Sequence, residues 1–127
     1  MVMFMDEKKK ILIVDDDQDL VQVIRMNLDF RGYETFEANE GVRATEMAHK
    51  IKPDVILLDI NIPVGSGEAV LKNLQKHFET DKIPVIIISG IDDEKRIQKI
   101  LDDGAKIFLQ KPFENQELLD AIASVLS

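Results

Sequence analysis

The sequence contains no cysteine. The chain therefore cannot form a disulfide, a thiolate nucleophile or a thiolate metal site. A chain without disulfides fits a reducing compartment, so we expect a cytoplasmic location. Any metal-binding or catalytic chemistry must rely on oxygen and nitrogen atoms.

Long apolar runs and an excess of basic residues are also lacking. No apolar run approaches the roughly 20 residues that cross a bilayer, and the apolar start Met1–Met5 is too short for a signal peptide. Against 24 acidic residues there are 16 basic ones, which gives a net charge of −8. That balance argues against nucleic-acid binding through a general basic surface. We therefore expect neither membrane association nor direct nucleic-acid binding.

Short apolar runs alternate with amphipathic segments along the 127 residues, a length that fits one domain. The third apolar run, at about 55–58, is continuous, which is typical of a parallel strand covered by helices on both faces. The pattern predicts a doubly wound α/β domain with a parallel sheet. Strands are predicted at about 10–14, 33–37, 55–58, 85–88 and 107–109, and helices at about 18–30, 40–50, 67–78, 92–103 and 114–126.

Helical periodicity also predicts which side chains of the first two helices pack inward. Met26 lies nearly opposite the predicted inner face of the first helix, so we expect it at the surface. The expected inward residues are Leu20, Val23, Ile24 and Leu28 in the first helix, and Val42, Ala44 or Thr45, and Ala48 in the second.

Polar residues recur where the predicted strands end. Asp15, Asp16 and Asp17 follow the first strand, and Asp59 follows the third. The carboxyl ends of parallel strands share one edge of the sheet, and ligands bind at that edge. Carboxylates gathered there suit a magnesium ion and a phosphoryl group. The fourth strand ends before Ser89, and Lys111 follows the fifth, so a hydroxyl and an amine join the same edge.

Four segments carry a resemblance to a known family. The segments ILIVDDDQDL, DVILLDINIP, PVIIISG and FLQKPF stand in the order and at the separations found in the receiver domain of bacterial two-component response regulators. The resemblance covers about residues 9–127. It implies a five-stranded, flavodoxin-like parallel sheet with strand order 2-1-3-4-5 and five helices.

The resemblance implies a metal site. Asp16 matches a direct magnesium ligand, Asp15 matches a ligand held through water, and Asn61 matches the position whose backbone carbonyl completes the shell. Asp59 matches the phosphorylated aspartate, which also contacts the metal. For Asp17 the alternative is plain N-capping of the first helix, and we favour that role.

The resemblance also implies a phosphoryl site and a switch. Lys111 supplies a positive charge for the phosphoryl group, and its peptide bond to Pro112 is expected in cis. Ser89 donates a hydroxyl to the phosphoryl group and moves toward it. Phe108 matches the aromatic switch position, with a plain core residue as the alternative.

Two segments depart from the family pattern. Gly90 stands where a small methyl side chain is usual, which leaves more room beside the phosphoryl group. Residues 64–67 read Val-Gly-Ser-Gly where an apolar residue and an acid are more usual. Neither change removes a group that the chemistry needs, so we expect effects on rate and loop flexibility.

The leading interpretation is a phosphoacceptor switch and not an enzyme that acts on a separate substrate. The implied partners are a histidine kinase or histidine phosphotransfer protein and a downstream protein, with a homodimer through the fourth helix, fifth strand and fifth helix. The alternatives are a degenerate receiver that binds partners without phosphorylation, and a phosphatase with an aspartyl nucleophile. We expect residues 1–9 to be a flexible leader, residues 10–127 to be the receiver domain, and no effector domain to follow.

Overall fold

The computed structural model describes residues 7–127. Of the predicted leader, residues 1–6 lie outside the described residues, and residues 7–9 are exposed. Five strands and five helices alternate as predicted. They are β1 (Lys10–Val14), α1 (Gln18–Phe30), β2 (Glu34–Ala38), α2 (Gly41–Ile51), β3 (Val55–Asp59), α3 (Gly67–Lys76), β4 (Val85–Ser89), α4 (Glu94–Asp102), β5 (Ile107–Gln110) and α5 (Asn115–Leu126).

The five strands form one parallel sheet with the order β2-β1-β3-β4-β5, which confirms the predicted topology. Its register aligns the carboxyl ends of the strands: Val14 pairs with Leu58, Asp59 with Ile88, and Ser89 with Gln110. The fold is therefore the doubly wound, flavodoxin-like arrangement, and the polar strand ends meet at one edge of the sheet.

Helices cover both faces of the sheet, so the core has two halves. One half packs α2, α3 and α4 against one face, and the other packs α1 and α5 against the opposite face. Alternate residues of β1 divide between them: Leu12 joins the first half and Ile13 the second. Because every residue of β3 and β4 is buried, these strands read as continuous apolar runs up to their final polar residue.

Side-chain caps fix where several helices begin. Asp17 accepts a hydrogen bond from the Leu20 amide at 3.2 Å, so its predicted capping role is confirmed. Ser66 caps α3 and Asp93 caps α4 in the same way. These oxygens satisfy amides of the first turn that have no partner within the helix.

The third helix ends earlier than the sequence predicted, at Lys76. The buried hydroxyl of Thr80 donates to the Leu74 carbonyl at 2.8 Å. In a longer helix that carbonyl would accept from the amide four residues on. The hydroxyl takes its place, and the chain turns extended at His77.

The inward positions predicted for α1 and α2 were right except at two valines. Val23 is 56% exposed and Val42 is 52% exposed. At about 100° per residue, each lies about 130° around its helix from the middle of the buried stripe. Val21 occupies the buried place on α1, beside Ile24 and Leu28.

Within residues 7–127, none of the helices is long and apolar enough to span a membrane.

Candidate functional site

Four of the predicted site residues lie at the carboxyl ends of four strands, at one edge of the sheet. Asp15 directly follows β1, Asp59 ends β3, Ser89 ends β4 and Lys111 directly follows β5. The backbone amide of Lys111 donates to the Ser89 carbonyl at 2.8 Å, which extends the pairing of β4 and β5 to the site itself.

Three carboxylates gather at this edge. Asp15, Asp16 and Asp59 each offer an oxygen, and these oxygens all lie within 4.8 Å of one another. Asp15 and Asp59 are buried, whereas Asp16 is exposed. Backbone amides orient the two buried carboxylates: the Asp17 amide donates to Asp15 Oδ1 at 2.9 Å, and the Asn61 amide donates to Asp59 Oδ1 at 3.3 Å. Carboxylate oxygens at this spacing, open to solvent on the Asp16 side, fit a hard divalent cation such as Mg²⁺.

Lys111 binds both buried carboxylates. Its Nζ lies 2.8 Å from Asp15 Oδ2 and 3.4 Å from Asp59 Oδ2. The Lys111–Pro112 peptide bond is cis, as the resemblance implied. The amine therefore offsets part of the negative charge that the carboxylates bring together.

Burial and the charges of this cluster shift the pKa values of Asp59 and Lys111. Burial raises the pKa of Asp59, and the charge of Asp15 raises it further. The charge of Lys111 and the Asn61 amide act in the opposite direction without cancelling the rise. Burial lowers the pKa of Lys111, but its hydrogen bond to Asp15 and the charges of Asp15 and Asp59 outweigh burial, so the net shift is upward. The raised pKa of Lys111 favours its charged form. The raised pKa of Asp59 means that its ionised form is disfavoured, and a further positive charge nearby would stabilise that form.

The two residues of the predicted switch lie beside this cluster on β4 and β5. Ser89 is fully buried, and its hydroxyl oxygen accepts from the Ile91 amide at 3.2 Å. Phe108 is partly buried against the half of the core that contains α2, α3 and α4. Gly90 has open space where its side chain would be, since apart from its two chain neighbours no heavy atom lies within 4 Å of that position.

Sequence reasoning missed one residue that shapes the site. Gly67, the first residue of α3, lies so close to Asp59 that a side chain would clash with the Asp59 carbonyl and with Cα of Ile60. Its amide donates to the Ile60 carbonyl at 2.9 Å. A glycine directly after the helix-capping Ser66 was the available signal.

Asn61 is exposed, two residues beyond the end of the strand that carries Asp59. Its amide faces the Asp59 carboxylate. The role of its carbonyl as a metal ligand stays a prediction.

The fold and site define a doubly wound α/β protein with an acidic, lysine-bridged cluster at the carboxyl edge of its sheet. A family model for the response regulator receiver domain matches residues 11–123. The chain belongs to this family.

Two curated relatives are longer proteins. The chain is 36% identical over 117 residues to the response regulator MprA of Mycobacterium leprae, covering 92% of this chain and 50% of that protein. It is 31% identical over 117 residues to the DNA-binding dual master transcriptional regulator RpaA of Synechocystis sp., covering 92% of this chain and 48% of that protein. The chain therefore spans about half the length of these two relatives.

Solved structures match over nearly the whole chain. The receiver domain of Francisella response regulator 1452 aligns with a TM-score of 0.87 at 30% identity, covering 94% of this chain and 97% of that one. Chemotaxis protein CheY4 of Vibrio cholerae aligns with a TM-score of 0.88 at 30% identity, covering 94% of this chain and all of that one.

Proposed function

We propose that this chain is a phosphoacceptor switch in which Asp59 takes a phosphoryl group from a phosphohistidine donor. The observation that carries the proposal is the joining of Asp15, Asp59 and Lys111 at one edge of the sheet, in a chain of the receiver family. The donor would be a histidine kinase or a histidine phosphotransfer protein. The coarser role, a receiver domain of two-component signalling, follows from family membership.

In the proposed transfer, a carboxylate oxygen of Asp59 attacks the phosphorus atom of phosphohistidine. A new O–P bond forms, the P–N bond breaks, and its electron pair leaves with the imidazole. Hydrolysis of the resulting acyl phosphate later returns free Asp59 and inorganic phosphate. The chain is a regulator that undergoes these two steps on its own side chain, and it has no separate substrate to turn over.

The residues around Asp59 would handle the charge that accompanies transfer. Bound Mg²⁺ would supply positive charge to the phosphoryl oxygens, held by Asp15, Asp16, Asp59 and the Asn61 carbonyl. Lys111, already within 3.4 Å of Asp59, would contribute its ammonium charge. Ser89, at the end of the neighbouring strand, would donate its hydroxyl to a phosphoryl oxygen.

We propose that this last contact couples the site to the surface formed by α4, β5 and α5. Ser89, whose hydroxyl oxygen accepts from the Ile91 amide, would move inward to donate its O–H to the phosphoryl group. The space that it leaves can be filled by Phe108, which is only partly buried. Burying such a ring contributes on the order of 1.5–3 kcal/mol, enough to shift a two-state population. A downstream protein, or a second copy of the chain, would bind the changed surface.

We propose a cytoplasmic location and no direct nucleic-acid contact by this domain. The net charge of −8 supports the second point. The DNA-binding described for RpaA belongs to a protein about twice the length that this chain matches.

The test is phosphorylation by acetyl phosphate in the presence of Mg²⁺, followed by intact-mass and peptide analysis. We expect one added phosphoryl group on the peptide that contains Asp59, and none in Asp59→Asn. Asp54→Asn is the matched control. Asp54 precedes the same strand at its other end, where its carboxylate accepts from the Lys10 amide, so labelling should persist.

Other outcomes would identify the competing functions. No labelling of the folded wild-type protein would favour a degenerate receiver that binds partners without phosphorylation. Sustained release of phosphate far beyond one equivalent would favour a phosphatase. Undiminished labelling of Asp59→Asn would overturn the assignment of Asp59.

A further inference from the structure

The loop after the proposed phosphoacceptor is held by backbone hydrogen bonds at its base and at its middle. It comprises residues 60–66, called here the β3–α3 loop. At its base the Gly67 amide donates to the Ile60 carbonyl at 2.9 Å, which closes the loop on itself. Ile60 and Ile62 are buried, so the backbone on either side of Asn61 is anchored in the protein interior.

The middle of the loop is hydrogen-bonded to the first turn of α2. The Gly41 amide donates to the Pro63 carbonyl at 3.0 Å, and the Val42 amide donates to the Val64 carbonyl at 3.1 Å. The first amides of a helix have no partner within the helix. Here the β3–α3 loop supplies their partners, and the two hydrogen bonds are called the α2 latch.

The latch holds the loop in an unfavourable backbone conformation. Val64 has φ 51° and Gly65 has φ 85°, both in the left-handed region. Glycine tolerates that region, but a β-branched residue such as valine rarely adopts it. The Val64 side chain is 59% exposed, so side-chain burial contributes little to holding it there. The backbone hydrogen bonds to α2 are the contacts that can maintain the strain.

The latch requires glycine at position 41. A Cβ on Gly41 would clash with the carbonyl oxygens of Val64 and Gly65. Both are backbone atoms, so no side-chain rotation can relieve the clash. Any larger residue must push the loop away from α2.

We infer that Gly41 is a positioning residue for the metal site, because it allows the α2 latch to fix the loop that carries Asn61. Gly41 itself contacts neither the carboxylates nor the reacting atoms. This inference rests on the proposed function, in which the Asn61 carbonyl binds Mg²⁺. The departure of residues 64–67 from the family pattern would then change the support of the metal site and leave its ligands in place.

The first test compares two glycine-to-alanine variants by Mg²⁺ titration, followed through backbone amide NMR shifts. Gly41→Ala should weaken Mg²⁺ binding on the order of 10-fold, the usual cost of losing a group that orients a metal ligand. Gly32→Ala is the control. Gly32 has φ 92° and no atom within 4 Å of an added Cβ, so alanine there strains the backbone without touching the loop. It should lower thermal stability and keep the Mg²⁺ affinity.

The second test perturbs the latch from the loop side, at an exposed position where the fold should survive. Val64→Pro forces φ to about −65° and breaks the left-handed conformation. Val64→Gly permits that conformation. We expect the proline variant to lose Mg²⁺ affinity as Gly41→Ala does, and the glycine variant to keep it. Without metal, Gly41→Ala and Val64→Pro should both exchange the Val42 amide at least 10-fold faster, as expected for a lost hydrogen bond of roughly 1.4 kcal/mol.

The outcomes separate this inference from the proposed function. If wild-type protein binds no Mg²⁺ at the carboxylates, the proposed metal site is wrong. If wild type binds Mg²⁺ and both Gly41→Ala and Val64→Pro bind it equally well, the metal site stands and the positioning role of Gly41 is overturned.

Discussion

Replacing Lys111 with methionine should destabilise the protein, because the amine holds two buried carboxylates together. Its Nζ lies 2.8 Å from Asp15 and 3.4 Å from Asp59. Asp15 is only 1% exposed and Asp59 only 6% exposed. Methionine keeps the apolar stem of lysine and removes its charge. The variant would leave two like charges close together with no cation between them.

The size of the effect follows from the burial of the three groups. Removing one partner of a buried ion pair costs about 3–5 kcal/mol. The Lys111 side chain is 26% exposed, so water can solvate the carboxylates after its removal, and we expect a loss of about 2–3 kcal/mol. With an unfolding entropy near 2.1 cal/mol/K per residue, 127 residues give roughly 270 cal/mol/K. The melting temperature should therefore fall by about 7–11 °C.

The loss should depend on pH in a defined direction. The pKa of Lys111 is raised on folding, so its contribution is fully present below its ordinary pKa of 10.5. That contribution disappears as pH rises through the raised pKa. At the acid end, protonation of Asp59, whose pKa is also raised, removes one of the two charges that need the amine. The difference in the free energy of unfolding between wild type and Lys111→Met should therefore be largest near neutral pH.

The assay is thermal and urea unfolding in metal-free buffer, with Lys106→Met as the matched control. Lys106 is an exposed lysine just before β5, and its replacement should change stability by less than about 0.5 kcal/mol. Millimolar Mg²⁺ should recover part of the loss in Lys111→Met, because the cation would neutralise the same carboxylates. If Lys111→Met has the same melting temperature as Lys106→Met, the ion pairs contribute nothing to stability and the electrostatic account of this site is wrong.

Three further predictions test the same site. Magnesium at ten times its dissociation constant should stabilise wild type by about 1.4 kcal/mol. Asp16→Ala should abolish this gain in a melting assay, and an equal gain in wild type and variant would place the metal elsewhere. Because the pKa of Asp59 is raised on folding, its ionised form disfavours the folded state. Metal-free Asp59→Asn should therefore have a higher melting temperature than wild type at pH 7, and the difference should shrink as pH falls through that raised pKa. A lower melting temperature for the variant would contradict this prediction. Ser89→Ala should still accept a phosphoryl group on Asp59 but lose the phosphorylation-dependent NMR shifts of α4; unchanged shifts at Glu94–Asp102 would mean that the coupling takes another route.

Local sequence pattern was sufficient for the fold class and for the residues expected at the carboxyl edge of the sheet, and the family resemblance supplied the strand order. Each strand is a short apolar run that ends in a polar residue, and the alternation with helices requires parallel crossovers. Once the strands are parallel, their ends share one edge, so Asp15, Asp59, Ser89 and Lys111 had to meet there. Their spacing along the chain was irrelevant to this step, since Asp15 and Lys111 are 96 residues apart.

Other features depended on contacts that no local pattern contains. The exposed positions of Val23 and Val42 were set by how α1 and α2 rotate against the sheet, and apolar periodicity alone placed both wrongly. The early end of α3 depends on a single hydroxyl, that of Thr80, reaching back to Leu74. Apolar character predicts burial only on average, whereas the packed faces decide it for each residue.

The sequence by itself determined the alternation of strands and helices, the acidic edge and the types of group gathered there, because strand ends and residue types are local properties. The order of the strands followed from the family resemblance of the four motifs. Only the tertiary structure decided how those groups are held. The 2.8 Å contact of Lys111 with Asp15, and the attachment of the β3–α3 loop to Gly41, join segments far apart in the chain. Such contacts depend on distances of a few ångströms between separately folded elements, and hydrophobic periodicity carries no information at that scale.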